Sequence, residues 1–200
     1  MSDLARGHAT ATIYEASKMN IALDPAIRPS WTGARVAGPA YTVQGAGGDN
    51  LALHNAVAAA PAGHVLVADL GGALHGHWGE VLAVAAQQRG LLGLIIDGGV
   101  RDTVELAGID FPVFSRGISI VGTRKGYQGG LGVPITVGGI RIATGDLVVG
   151  DADGVVVIPH EHVTDVLERS DARVADEKRI FDELCVGKTT LELYNFAAIP

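Results

Sequence analysis

The chain contains a single cysteine, Cys185, so no intrachain disulfide can form, and a cytoplasmic location is expected. Charge is sparse, at 18% of residues, and no run of lysine or arginine occurs. That argues against a nucleic-acid partner and against a polybasic membrane patch, and the net charge of −7 points the same way. No apolar stretch approaches the roughly 18 residues that suggest a membrane span. The opening MSDLARGHATATIYEA lacks the apolar core of a secretory signal. Low charge with 48% hydrophobic content excludes the disordered class, and 200 residues suffice for one substantial core. Glycine, by contrast, is abundant. There are 28 glycines, many of them in GG or GxxG patterns between short apolar runs, the punctuation of a strand-rich fold.

The order of elements can be read from that punctuation. Ala9–Asn20 has the pattern of a first helix, with Ile13, Tyr14 and Ala16 near one face, and prolines at 25 and 29 keep the helix from continuing. A strand over Ala34–Val43 contains a Gly-Pro step. The turn Gly47–Asn50 places Asp or Asn to cap a helix over Leu51–Ala60. His64–Asp69 is a buried strand, Trp78–Arg89 a helix with Val81, Leu82, Ala85 and Ala86 at helical spacing, and Leu91–Ile96 a second buried strand ending at Asp97-Gly98-Gly99. This alternation predicts parallel pairing through right-handed crossovers. Residues 112–158 instead hold short β runs, GISIVG, VPITVGG, GIRIA, DLVVG and GVVVIP, which predict a compact β layer. Pro159 opens a long amphipathic helix to about Leu184, with Val163, Val166, Leu167, Val174 and Phe181 on its apolar side. One α/β domain over residues 1–200 is expected, its β layers covered by helices and its last helix starting near residue 160.

The chemistry concentrates in Gly76–Asp102. Glu80 opens a helix just after Gly79, while Asp97, Arg101 and Asp102 come after a strand. Ligand sites of open α/β sheets form outside the carboxyl ends of strands, so the loops Gly71–Gly79 and Gly98–Asp102 can converge there. The N–H groups of Gly79, Glu80, Val81 and Leu82 at a helix start suit a carboxylate. Asp102 and Glu80 are hard oxygen ligands for Mg²⁺ or Mn²⁺, and Arg101 offers a planar fork for a carboxylate or an enolate oxygen. The same residues also have plain structural readings, as a dipole-favoured Glu80, a capping Asp102 and a surface Arg101.

Glu80 and Arg101 are 21 positions apart, so twenty residues separate them and Asp102 comes directly after. An acidic residue, twenty residues and then Arg-Asp, flanked by GPAYTV (38–43), GGDNLALHNA (47–56), VLVADLGG (65–72), FPVFSRG (111–117) and GDLVVGDADGVVVIP (145–159), resembles the RraA-like superfamily over nearly the whole chain. Within that superfamily it is similar to the class II pyruvate aldolases that cleave 4-hydroxy-4-methyl-2-oxoglutarate and 4-carboxy-4-hydroxy-2-oxoadipate. The resemblance implies a swivelling β/β/α fold, a trimer or hexamer, and Mg²⁺- or Mn²⁺-dependent retro-aldol release of pyruvate, with oxaloacetate decarboxylation as a second activity. It implies Asp102 as the direct metal ligand and Glu80 as a ligand through water that also helps move protons. It makes Arg101 the substrate arginine, and Gly79–Leu82 the amides that hold the pyruvoyl carboxylate. The family often has Asp where Glu80 stands. Some relatives instead bind a ribonuclease without catalysis, and that is the alternative function.

Further candidates are Thr123 and Lys125 in GTRKG, for a distal carboxylate, and Glu177 on the last helix, for a neighbouring subunit's site. His75 and His77 flank Gly76 near Glu80 but do not form a specific zinc signature. His160 and His162 are two apart and share no helix face. Arg116 and Arg141 are expected in structural ion pairs. The glycine pairs at 71–72 and 98–99 lack dinucleotide-binding spacing.

Overall fold

The structure, a computed structural model, describes residues 7–197. The first six residues of the opening stretch and the last three of the expected domain lie outside them. In chain order the elements are α1 (Thr10–Ser17), β1 (Arg28–Pro29), β2 (Val36–Gln44), α2 (Leu51–Ala59), β3 (Val65–Asp69), α3 (Glu80–Gln88), β4 (Gly93–Val100), α4 (Thr103–Gly108) and β5 (Val113–Ile118). The second half contributes β6 (Gly130–Leu131), β7 (Ile135–Val137), β8 (Ile140–Ile142), β9 (Leu147–Gly150), β10 (Val155–Ile158), α5 (Val163–Cys185) and α6 (Thr190–Leu193).

The main sheet has eight strands in the order β1-β5-β4-β3-β2-β9-β10, with β6 added to β2. Pairs β2–β3, β3–β4 and β4–β5 are parallel, as the helix–strand alternation predicts. The runs of residues 112–158 do not form a layer of their own. β5 completes the parallel half, β9 and β10 extend the same sheet antiparallel from the first half of β2, and only β7–β8 stands apart as a hairpin. The long β2 makes this possible, because its first residues pair with β9 and its last with β3.

Strand periodicity divides the core. Leu66 and Ala68 of β3 and Leu94 and Ile96 of β4 face α2, α3 and α4. Val65, Val67 and Ile95 face the opposite way, onto Ile135, Val137 and Ile142 of the β7–β8 hairpin and onto Val148, Val155 and Val157. The alternate residues Val149, Val156 and Ile158 meet Ile13 of α1 and Val163, Val166 and Leu167 of α5. The layers therefore run helix, sheet, curled β and helix, a mixed α/β single domain. Among the described residues, no helix is long and apolar enough to cross a membrane.

Several boundaries differ from expectation for local reasons. α1 stops at Ser17, because Lys18 adopts a left-handed backbone that ends the helix, and Tyr14 points outward at 42% exposure. α3 starts at Glu80. Trp78 is not helical but fully buried, bridging to Val100 and stacked on Phe111. Val81, expected on the apolar face, is exposed, because α3 turns Leu82, Ala83 and Ala86 to the core. β4 does not end at Asp97-Gly98-Gly99 but runs through it to Val100, with an irregularity in its pairing to β5. The glycines let it do so, since a Cβ at Gly99 would lie 2.7 Å from the His75 carbonyl oxygen. Ser119–Gly122 leave the strand order where GISIVG predicted continuation.

A 3₁₀ turn over His160–His162 precedes α5, and both histidines are exposed. Only part of α5 is covered. Val163, Val166, Leu167, Ser170 and Ile180 are buried, whereas Val174 and Phe181, expected on the apolar side, are exposed. Arg116 is a structural cation as expected. It pairs with Asp97 at 2.5 Å and Asp24 at 3.0 Å, which holds the guanidinium well above its ordinary pKa. Arg141 is not one. It is exposed on β8 with no carboxylate partner among the described residues.

Candidate active site

The segments after β2, β3, β4 and β5 converge at the carboxyl ends of the parallel strands, where they enclose a cavity of about 200 Å³. Asn50 and His54 come from the start of α2, and Gly79, Val81 and Leu82 from the start of α3. Arg101 and Asp102 come just after β4, and Lys125 comes from the loop after β5. Backbone bonds close the two expected loops onto each other. His77 N–H donates to Gly99 O at 3.1 Å, and Arg101 N–H donates to Trp78 O at 2.9 Å. The GTRKG loop is pinned to the α2 entrance by Asn50 N–H to Arg124 O at 3.0 Å and Arg124 N–H to Gly48 O at 2.8 Å, which brings Lys125 to the cavity. Thr123 sits on the same loop but does not line the cavity.

Asp102 occupies the cap position of α4 but does not cap it. Its backbone is left-handed, φ 58°, a conformation that Asp tolerates better than most residues. Its Oδ2 accepts the Glu80 N–H at 3.0 Å and lies 3.6 Å from Arg101 Nε. The Glu80 amide is therefore engaged by Asp102 and is not free for a ligand. The N–H groups of Gly79, Val81 and Leu82 have no protein partner among the described residues, since Ala83 N–H makes the first bond of α3, to Gly79 O. A Cβ at Gly79 would overlap Asp102 Oδ2 and lie 3.0 Å from its Cγ and 3.1 Å from Arg101 Cγ, so this close approach requires glycine. The Glu80 side chain is exposed and outside the cavity lining.

Three residues around the cavity gained no site role from the sequence. His77 is fully buried. Its Nε2 accepts the Gly48 N–H at 2.9 Å, and its Nδ1 faces Gly99 O at 3.2 Å, so a neutral ring with the proton on Nδ1 satisfies both. Burial holds this imidazole below its usual pKa. With both nitrogens committed, His77 cannot ligate a metal. Among the described residues no group of three His, Cys, Asp or Glu side chains forms a metal cluster. His54 is held below its usual pKa by burial and then by the Lys125 charge, which keeps it neutral near pH 7. Asn50 is buried and donates from Nδ2 to His77 O at 3.0 Å. Of the Asp or Asn expected to cap α2, it is Asp49 that bonds the helix start, its Oδ1 accepting the Leu51 N–H at 2.9 Å. Asn50 and His54 are four apart on one helix, a spacing visible in GGDNLALHNA.

Glu177 is remote from this cavity in its own subunit and pairs with Arg173 at 2.9 Å, while Arg173 also bridges to Glu15. A larger concavity of about 440 Å³ opens at the amino ends of the strands beside Arg35 and Asp110, both exposed, and gathers no comparable set of groups.

The parallel sheet and the cavity at its carboxyl ends, lined by Arg101 and Asp102, define a mixed α/β protein whose candidate site lies at the carboxyl ends of the parallel strands. The chain belongs to the RraA-like family, described as Aldolase/RraA, which matches residues 10–157. It is 38% identical over 175 residues to the Halalkalibacterium halodurans protein named "Putative 4-hydroxy-4-methyl-2-oxoglutarate aldolase", covering 85% of this chain and 83% of that one. Among solved structures it resembles an uncharacterized protein from Pseudomonas syringae pv. tomato, with TM-score 0.86, 31% identity, and 94% and 89% of the two chains covered. It also resembles the RNA-processing inhibitor RraA of Thermus, with TM-score 0.69 and 28% identity, over 76% of this chain and 92% of that one.

Proposed function

We propose that this chain is a divalent-metal-dependent aldolase that cleaves 4-hydroxy-4-substituted 2-oxo diacids or triacids to release pyruvate, with oxaloacetate decarboxylation as a side activity, in the cytoplasm. The observation that carries the reading is the cluster of Arg101, Asp102 and the helix-start amides in one carboxyl-end cavity, with Lys125 beside it. The similarity to the Halalkalibacterium protein supports it.

The donor set suits Mg²⁺ or Mn²⁺. Asp102 Oδ1 has no protein partner among the described residues, and such ions take one or two carboxylates and keep several waters. Asp102 would hold the metal directly and Glu80 through water. When bound, the metal supplies Lewis-acid polarisation of the 2-oxo group. The remaining work falls to the chain. The N–H groups of Gly79, Val81 and Leu82 hold the substrate carboxylate at the positive end of α3. Lys125 takes a distal carboxylate. Arg101 offsets the negative charge that develops as the C3–C4 bond breaks. The hydroxyl proton passes toward Glu80 at the rim. Chelation tests the reading: pyruvate release should vanish in excess EDTA and return with Mg²⁺ or Mn²⁺. Full activity in EDTA would exclude it, and an inactive chain that binds a ribonuclease would replace it with the regulatory alternative.

Assembly into a trimer or hexamer is part of the proposal. Val81 and Val104 near the cavity are 79% and 78% exposed, and Phe181, Val186 and Phe196 leave the C-terminal helices apolar and uncovered. A second copy covering such faces would bring Glu177 toward a neighbour's cavity. Sedimentation at micromolar concentration should give a multiple of 20.6 kDa, and a monomer mass would count against the assembly.

A further inference from the structure

Asn50 is 7% exposed and stands where an N-cap residue usually bonds its own helix, yet its side chain makes no cap bond. Its Nδ2 donates to the His77 carbonyl. A carbonyl cannot donate, so this contact fixes which end of the amide is which, and Oδ1 must point the other way. His77 is itself immobilised by Gly48 N–H and Gly99 O, so the amide has a rigid anchor. Asn50 Oδ1 is buried with no hydrogen-bond partner, and Asn50 lines the cavity shared by Lys125, Arg101 and Asp102. A buried acceptor left empty is costly to maintain and invites a donor.

We propose that Asn50 Oδ1 accepts a hydrogen bond from the hydroxyl of the bound 2-oxo acid, making Asn50 the residue that distinguishes hydroxylated from unhydroxylated ligands. This rests on the functional reading above. Arg101, Lys125 and the helix-start amides are all donors or cations and recognise carboxylates, which both kinds of ligand carry. Asn50 supplies an uncharged acceptor, which only a ligand with an O–H donor can use. The contact is given up when the hydroxyl proton leaves, so it belongs to the ground state, and its loss raises KM and kcat together while kcat/KM stays near wild type.

The test uses the full chain with Mg²⁺ and two five-carbon 2-oxo diacids that differ only in a C4 hydroxyl. In wild type, the KM of the hydroxylated acid should lie about tenfold below the inhibition constant of the other, the scale of one hydrogen bond. Asn50→Ala should raise that KM about tenfold, raise kcat with it so that kcat/KM stays within about twofold, and leave the inhibition constant unchanged. An equal weakening of both acids would mean that Asn50 merely holds the His77 loop, and would overturn the inference while leaving the aldolase reading intact. If the variant does not fold, as judged by its melting curve, the wild-type comparison still decides, since no preference for the hydroxyl overturns the inference. A wild type that releases pyruvate from no 4-hydroxy-2-oxo acid overturns the functional reading and this inference with it.

Discussion

Arg101→Ala is expected to lower kcat for pyruvate release by about 10²-fold or more, the scale of losing one donor to a developing oxyanion. Arg101 lies just past the end of β4, with its backbone tied to Trp78 O, and its side chain is about half exposed at the cavity with one carboxylate neighbour, Asp102. Removing the guanidinium therefore takes away one of the two cations that line the cavity without opening the core, and melting temperature and oligomer mass should stay near wild type. Arg101→Lys should recover little, because an ammonium lacks the planar fork. Asp102→Ala should instead weaken metal binding, so a metal titration separates the two losses. Near-normal turnover by Arg101→Ala on every substrate would show that the site lies elsewhere.

Gly79→Ala is expected to be as damaging, although it removes no functional group. The added methyl would meet the Asp102 carboxylate and the Arg101 stem at once. Gly79 has extended φ and ψ of −159° and −167°, which alanine also adopts, so backbone strain is not the cause. The methyl can be accommodated only if Asp102 swings away and gives up its bond to the Glu80 N–H, or if the start of α3 shifts. Either change displaces both the proposed metal ligand and the amides proposed to hold the substrate carboxylate. Activity should fall by about 10²-fold, the scale expected of an angstrom-size misplacement, and the metal needed for half-activation should rise. Retention of wild-type metal affinity and rate would show that Asp102 and the α3 entrance are not held together by this contact.

The parallel half of the fold was legible because its strands are short aliphatic runs bounded by glycine and separated by helical spacing, as in HVLVAD and LLGLII. The β runs after residue 112 were visible as strands, but their partners were not. Pairing of β9 with the first half of β2 depends on one long strand serving two neighbours, and nothing local in Val36–Gln44 announces that division. The termination wrongly expected at Asp97-Gly98-Gly99 has a similar origin. Glycine marks a turn when the chain is free to reverse, but here it marks the place where the Leu74–His75 backbone crosses β4. In the site, the sequence pointed to Arg101 and Asp102, which the structure places together, and to Lys125, which it brings beside them. It could not show that Asp102 reaches back to α3, because that bond spans 22 positions. Asn50 went unrecognised because capping by Asp or Asn was a sufficient local explanation for both residues of the turn, and only the structure shows that Asp49 serves it while Asn50 turns to His77.

The left-handed corner at Asp102 has a consequence for how this protein can change over time. The position must reverse the chain between β4 and α4, and the residues that do so most easily are Gly, Asn and Asp. Only one of these carries a charge. Substitution by the other two would keep the corner and the fold while deleting the carboxylate, and the codons of Asp are a single base from codons for both. Loss of the proposed metal chemistry is therefore an easy step for a chain of this shape, and a homologue with Asn or Gly at this corner would be one that kept the scaffold for another use.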